Sequence, residues 1–190
     1  HADERDRPVI RRAAVRGAML VLLALPGLAA AGPPEPSGYR MDAYRAPVPA
    51  TLAGAKVVSP EEAHSLWQAG TAAFIDVLPR APKPDNLPEG TIWNEPPRRS
   101  IPGALWLPNV GYGALADVTL DYFRAGLAHA TAGDPARPVL IFCLEECWMS
   151  WNAAKRALDL GYTEVLWLPE GTDGWSFYDY PTEIVSPYLP

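Results

Sequence analysis

The sequence predicts an α/β domain: a central, mostly parallel five-stranded sheet with helices on both faces. Three observations predict it. Apolar runs at 72–77, 104–107, 138–142 and 164–168 are bounded by turn signals and read as buried strands. Segments with helical periodicity separate those runs, which implies parallel crossovers. Proline makes up 22 of 190 residues, about twice the usual 5%, which excludes a bundle of long helices.

Along the chain, Arg11, Arg12 and Arg16 precede an apolar run at 18–25, and Ala29-Ala30-Ala31 follows. A positive flank, a short greasy segment and small residues define a secretory signal peptide over residues 1–31. The run is too short to span about 30 Å of hydrocarbon. Cleavage after Ala31 leaves 159 residues with a net charge of −8, addressed to the periplasm and carrying no membrane span. Residues 32–54 are a proline-rich extension in which Tyr39 and Tyr44 are candidate anchors onto a domain surface. The domain itself occupies 55–190.

Residues 55–58 form a first strand. Ser59 then caps a helix, with Pro60 at its first position and Glu62 completing a capping box, and Gly70 ends it. After the strand at 72–77, six prolines make 79–100 one long loop, a natural lid. Residues 117–130 carry a helical stripe of Val118, Tyr122, Ala125 and Leu127. The clearest buried strand, 138–142, runs into Cys143-Leu144-Glu145-Glu146-Cys147-Trp148-Met149. A helix follows from about Ser150 to Leu160, then the last strand and a Gly171-Thr172-Asp173-Gly174-Trp175 turn, where Asp173 is expected to make a turn hydrogen bond. The formal charge of −6 argues against a nucleic-acid partner, which needs a basic stripe.

A buried strand ending in Cys143, a tight loop, a helix closed by Gly161-Tyr162 and a Gly…Gly-Trp turn resemble a rhodanese domain over roughly 55–180. Asp76 at a strand end and Ile101-Pro102-Gly103-Ala104 fit the same pattern. The chain also resembles the exported rhodanese-like proteins associated with PQQ-dependent alcohol catabolism, named after a CXXCW motif. Tyr39-Arg40, Tyr44-Arg45-Ala46-Pro47, Cys143…Cys147-Trp148 and Ser150-Trp151-Asn152-Ala153-Ala154 carry that resemblance. It implies an accessory role beside a PQQ-dependent alcohol dehydrogenase or its cytochrome c system, with no cofactor of its own. It also implies that Asp76 supports the site by bonding loop amides beneath it.

The active-site loop is then Leu144, Glu145, Glu146, Trp148, Met149 and Ser150, flanked by Cys143 and Cys147. A strand-to-helix junction surrounds a sulfur with backbone N–H groups and a helix dipole, which favour a thiolate. The family pattern places an Arg before the Ser that opens the helix, and here that residue is Met149. Glu145 and Glu146 raise a thiol pKa and repel thiosulfate-like anions, which argues against ordinary sulfurtransferase chemistry at Cys143. The only two cysteines can form a disulfide, either an inert crosslink or a reversible pair in which Cys143 is the primary sulfur and Cys147 resolves it. Two rival readings stay open. The two sulfurs with Met149 make a soft Cu(I) set, though His64 and His129 lie on distant helices and no metal site is assigned. Loop aromatics such as Trp93, Tyr112, Trp175, Tyr178 and Tyr180 would suit a non-catalytic partner-binding module.

Overall fold

The computed structural model describes residues 32–190, and the expected signal peptide at 1–31 lies outside the described residues. The strands are β1 (Lys56–Val57), β2 (Ala73–Asp76), β3 (Arg98–Ser100), β4 (Leu105–Trp106), β5 (Val139–Phe142), β6 (Val165–Leu168) and β7 (Glu183–Val185). The helices are α1 (Pro60–Ala69), α2 (Asp117–Thr131), α3 (Trp148–Asp159) and α4 (Gly171–Phe177). Five strands form the expected parallel sheet in the order β1-β6-β5-β2-β4. No helix among the described residues is long and apolar enough to cross a membrane.

The alternation of side chains along a strand explains why every central position is apolar. Val139 and Ile141 of β5 and Val165 and Trp167 of β6 join one core with Phe123 and Leu127 of α2 and Trp151 and Ala154 of α3. Leu140, Phe142, Leu166 and Leu168 face the other way, into a second core with Ala63 of α1 and Trp175 of α4. Cys143 continues the alternation and falls on the α2–α3 side. The α1 start is as expected: Ser59 Oγ accepts from the Glu62 N–H, the Glu62 carboxylate accepts from the Ser59 N–H, and Gly70 closes the helix at φ 63°.

Three elements differ from the sequence expectation. The last three residues of the proline-rich excursion are β3, which pairs antiparallel with β7. Strands of three residues are too short to show an apolar period. α3 begins at Trp148, two residues early, because Cys147 itself is its N-terminal boundary. The turn at Gly171 is the helix α4, and Trp175 is a fully buried core residue rather than an interface anchor.

The extension is strapped across α3. Tyr39 donates to Asp159 Oδ2 at 2.5 Å, and its ring lies 4.3 Å from the Arg156 guanidinium carbon. The buried Asn152 amide accepts from the Arg40 N–H and donates to the carbonyls of Arg40 and Gly111 at 2.9 Å each. Trp148 and Trp151 donate their indole N–H groups to the carbonyls of Pro47 and Thr51. Trp148, Asn152, Arg156 and Asp159 recur at three- and four-residue spacing, so one face of α3 holds the strap. Gly111 sits where any Cβ would come within 2.4 Å of the Met149 carbonyl, so only glycine permits this approach.

Two outcomes follow for the strap. Asn152→Ala leaves the Arg40 N–H and two carbonyls without their partner and should lower stability by about 2 kcal/mol. Urea denaturation measures this, and an unchanged midpoint would contradict it. The Tyr39 hydroxyl is pushed up to about 12, first by burial and then by its bond to Asp159. An unfolded tyrosine ionises near 10, so the Tyr39 contribution is complete below that pH and is lost as pH rises toward about 12. Tyrosinate absorbance should show a late-titrating phenol that Tyr39→Phe removes.

Candidate functional site

β5 delivers Cys143 to the C-terminal edge of the sheet, and α3 starts one residue after Cys147. The two cysteines are joined in a disulfide with a Cα separation of 6.3 Å, inside the range such a bond accepts. Both are closed off from solvent, at 0% and 2% exposure. Between them Leu144 is half-buried, while Glu145 and Glu146 are exposed. Glu146 adopts φ 50°, a left-handed conformation that lets three residues span the turn.

The loop's polar groups are already engaged. The Glu145 N–H donates to Asp173 Oδ2 at 2.9 Å, so Asp173 fastens the cysteine loop rather than its own turn. Ser150 Oγ donates to the Cys147 carbonyl and accepts from the Trp167 indole, each at 3.0 Å. Arg45 and Cys147 form an antiparallel bridge, with the Trp148 N–H donating to Tyr44 and the Ala46 N–H donating to Glu146. The strap therefore covers the cysteine pair directly, the role the sequence suggested for the 79–100 loop. Trp148, Met149 and Ser150 are all buried.

Asp76 is fully buried at the end of β2. Its Oδ2 accepts from Arg98 Nε at 2.7 Å and from the Ser100 hydroxyl at 2.5 Å, and its Oδ1 accepts from the Leu78 N–H. Of the loop amides, Asp76 bonds that of Leu78, and it reaches the cysteine loop through Arg98. Arg98 Nη2 contacts the Cys143 carbonyl at 3.5 Å and Thr172 Oγ1 at 3.3 Å. The same carbonyl accepts from the Thr172 N–H at 3.0 Å. Gly171 makes room for this contact, because a Cβ there would lie 2.5 Å from the Cys143 oxygen and φ is +53°.

Sequence reasoning missed Arg98, Thr172 and the strap-binding pair Asn152 and Arg156. Arg98 stood three residues before Ile101-Pro102-Gly103, and Asn152 and Arg156 followed Trp148 at helical spacing. The mouth of the loop is acidic: Glu145, Glu170 and Asp173 line a cleft of about 310 Å³ with Phe177 and Tyr178. Burial, and then repulsion from Glu61 and Glu145, holds the Glu170 carboxyl above its ordinary pKa. Among the described residues, no group of three or more His, Cys, Asp or Glu could share a metal ion. His64 instead stacks on Tyr180 at 3.9 Å, and His129 lies 5.0 Å from Tyr188.

No protein-family model matches the chain, and no curated protein matches it. Among solved structures it is similar to a thiosulfate sulfurtransferase from Pseudomonas aeruginosa, at 21% identity and TM-score 0.48. That match covers 70% of this chain and 21% of the enzyme, so the chain spans about a fifth of its length. It is also similar to the polysulfide-sulfur transferase homodimer from Wolinella succinogenes, at 19% identity, TM-score 0.42, and coverage of 70% and 82%. A rhodanese-like domain from Anabaena matches at 14% identity and TM-score 0.44, covering 73% of this chain and 88% of that one.

Removing Arg98 strands the Asp76 carboxylate in the core. Arg98→Met should cost about 3 kcal/mol or more in chemical denaturation, and Asp76→Asn added to it should recover part of the loss. A double variant less stable than Arg98→Met would contradict this coupling.

Proposed function

We propose that the chain is a rhodanese-like accessory protein whose cysteine loop works as a reversible thiol–disulfide pair rather than as a persulfide carrier. The observation that carries this reading is the bond between Cys143 and Cys147 at the junction of β5 and α3. In that state no sulfur is free to accept a sulfane atom. A dithiol reductant would attack one sulfur, form a mixed disulfide, and leave as its own disulfide, transferring two electrons and two protons to Cys143 and Cys147. The segment between the cysteines carries Glu145 and Glu146 and no lysine or arginine, a balance that disfavours a thiolate and an anionic sulfur donor once the pair is reduced.

Because the pair is buried beneath the Arg45–Cys147 bridge, exchange requires the strap to lift. Thiol chemistry is thereby coupled to a local opening rather than to global unfolding. Export to the periplasm and service to a PQQ-dependent alcohol dehydrogenase or its cytochrome c are the finer part of the proposal. The Tyr39-Arg40, Tyr44-Arg45 and Cys147-Trp148 motifs support that part by resemblance.

The test is mass spectrometry of alkylated thiols after incubation with a thioredoxin-class dithiol under native conditions. Reduction of the wild-type pair is expected, accelerated about tenfold or more in Asn152→Ala, which weakens the strap. The reduced protein should show no thiosulfate–cyanide turnover. Thiols that appear only on global unfolding would instead make the bond a structural crosslink. Turnover that vanishes in Cys143→Ala would establish sulfur transfer.

A further inference from the structure

A second cleft, of about 550 Å³, opens between the strap and the proline-rich excursion, away from the acidic mouth. Arg45, Arg80, Arg98 and Arg99 line it. These are four of the eleven lysines and arginines in residues 32–190, in a stretch whose net charge is −8. Pro79, Pro82, Pro96, Pro97 and Trp106 supply apolar walls. Trp106 is held in place by its indole N–H, which donates to the Leu78 carbonyl at 2.7 Å.

The charges divide into two pairs. Arg98 is spent on Asp76, and Arg80 is spent on Glu95 through Nε at 2.8 Å and a second contact from Nη2. Glu95 also lines the cleft; its second carboxylate oxygen is closed off from solvent and has no hydrogen-bond partner, and the acid's charge is matched by Arg80. Arg45 and Arg99 are exposed, and no carboxylate among the described residues pairs with either. The Arg99 guanidinium makes a single neutral contact, to the Thr182 hydroxyl at 3.3 Å.

Two arginines in the cleft lining that no described carboxylate pairs with, set beside apolar walls, call for a ligand with matching chemistry. Guanidinium forks suit carboxylates, which they bind through paired N–H groups. The volume falls in the range of small-molecule sites. A bare inorganic anion would leave the proline and tryptophan walls unused. We propose that this cleft binds a small organic dianion, its two carboxylates held by Arg45 and Arg99 and its apolar or aromatic body laid against Trp106 and the prolines. The proposal goes beyond the thiol–disulfide reading and stands without it. The site nonetheless touches the cysteine loop at two points, through the Arg45–Cys147 bridge and through the contact from Arg98 to the Cys143 carbonyl.

The experiment titrates the oxidised protein with isophthalate, benzoate and sulfate, following Trp106 indole and arginine Nε resonances by NMR. Isophthalate is expected to saturate, with shifts confined to Trp106, Arg45 and Arg99, and benzoate and sulfate to bind about tenfold more weakly or worse. Arg45→Ala and Arg99→Ala should each weaken isophthalate about tenfold, while Arg137→Ala should not. Both lining side chains are exposed, and an unchanged amide spectrum will verify that the variants fold. Equal affinity of wild type and the Arg45→Ala/Arg99→Ala double variant would overturn the proposal. So would sulfate binding as tightly as isophthalate, or a polyglutamate peptide binding more tightly than either.

Discussion

The short path between β5 and α3 is the constraint on which the rest of this structure depends. The sheet's alternation places Cys143 on the α3 side, and four residues later Cys147 is the N-terminal boundary of the helix. A loop that small cannot satisfy its own backbone, so its partners come from elsewhere: Thr172 and Arg98 for the Cys143 carbonyl, Asp173 for the Glu145 amide, and the strap for Glu146 and Trp148. Buried polar groups left unpaired would cost about 1–3 kcal/mol each. The strap, α4 and the Asp76–Arg98 pair are thus parts of one solution to one problem.

This arrangement also sorts charge around the cysteines. Glu145, Glu170 and Asp173 line one cleft, and Arg45, Arg80, Arg98 and Arg99 line another. Arg98 neutralises the buried Asp76 and Arg80 pairs with Glu95.

Much of the fold was legible because burial on both faces leaves continuous apolar runs, as at Val139–Phe142 and Val165–Leu168. The capping box at Ser59 and Glu62 and the cysteine pair were legible for a related reason: each depends on residues close in sequence. The strap was only half legible. Tyr39 and Tyr44 stood out as anchors, yet their partners, Asp159 and the Gly113 amide, lie 120 and 69 residues away. Arg98 was hidden among prolines, since nothing local marks a cation that will pair with a carboxylate 22 residues earlier. Met149 stood out in the sequence beside Ser150. That it packs against Gly111 could be known only from the assembled chain.

The central claim is that the sulfurs can exchange electrons while the domain remains folded. Cβ carbon chemical shifts of Cys143 and Cys147, followed through a dithiothreitol titration alongside the amides of Val139–Phe142, test it most directly. The account predicts that the cysteine carbons move from disulfide to thiol values while the β5 amides keep their native positions. Loss of the β5 signals in step with the cysteine change would contradict it.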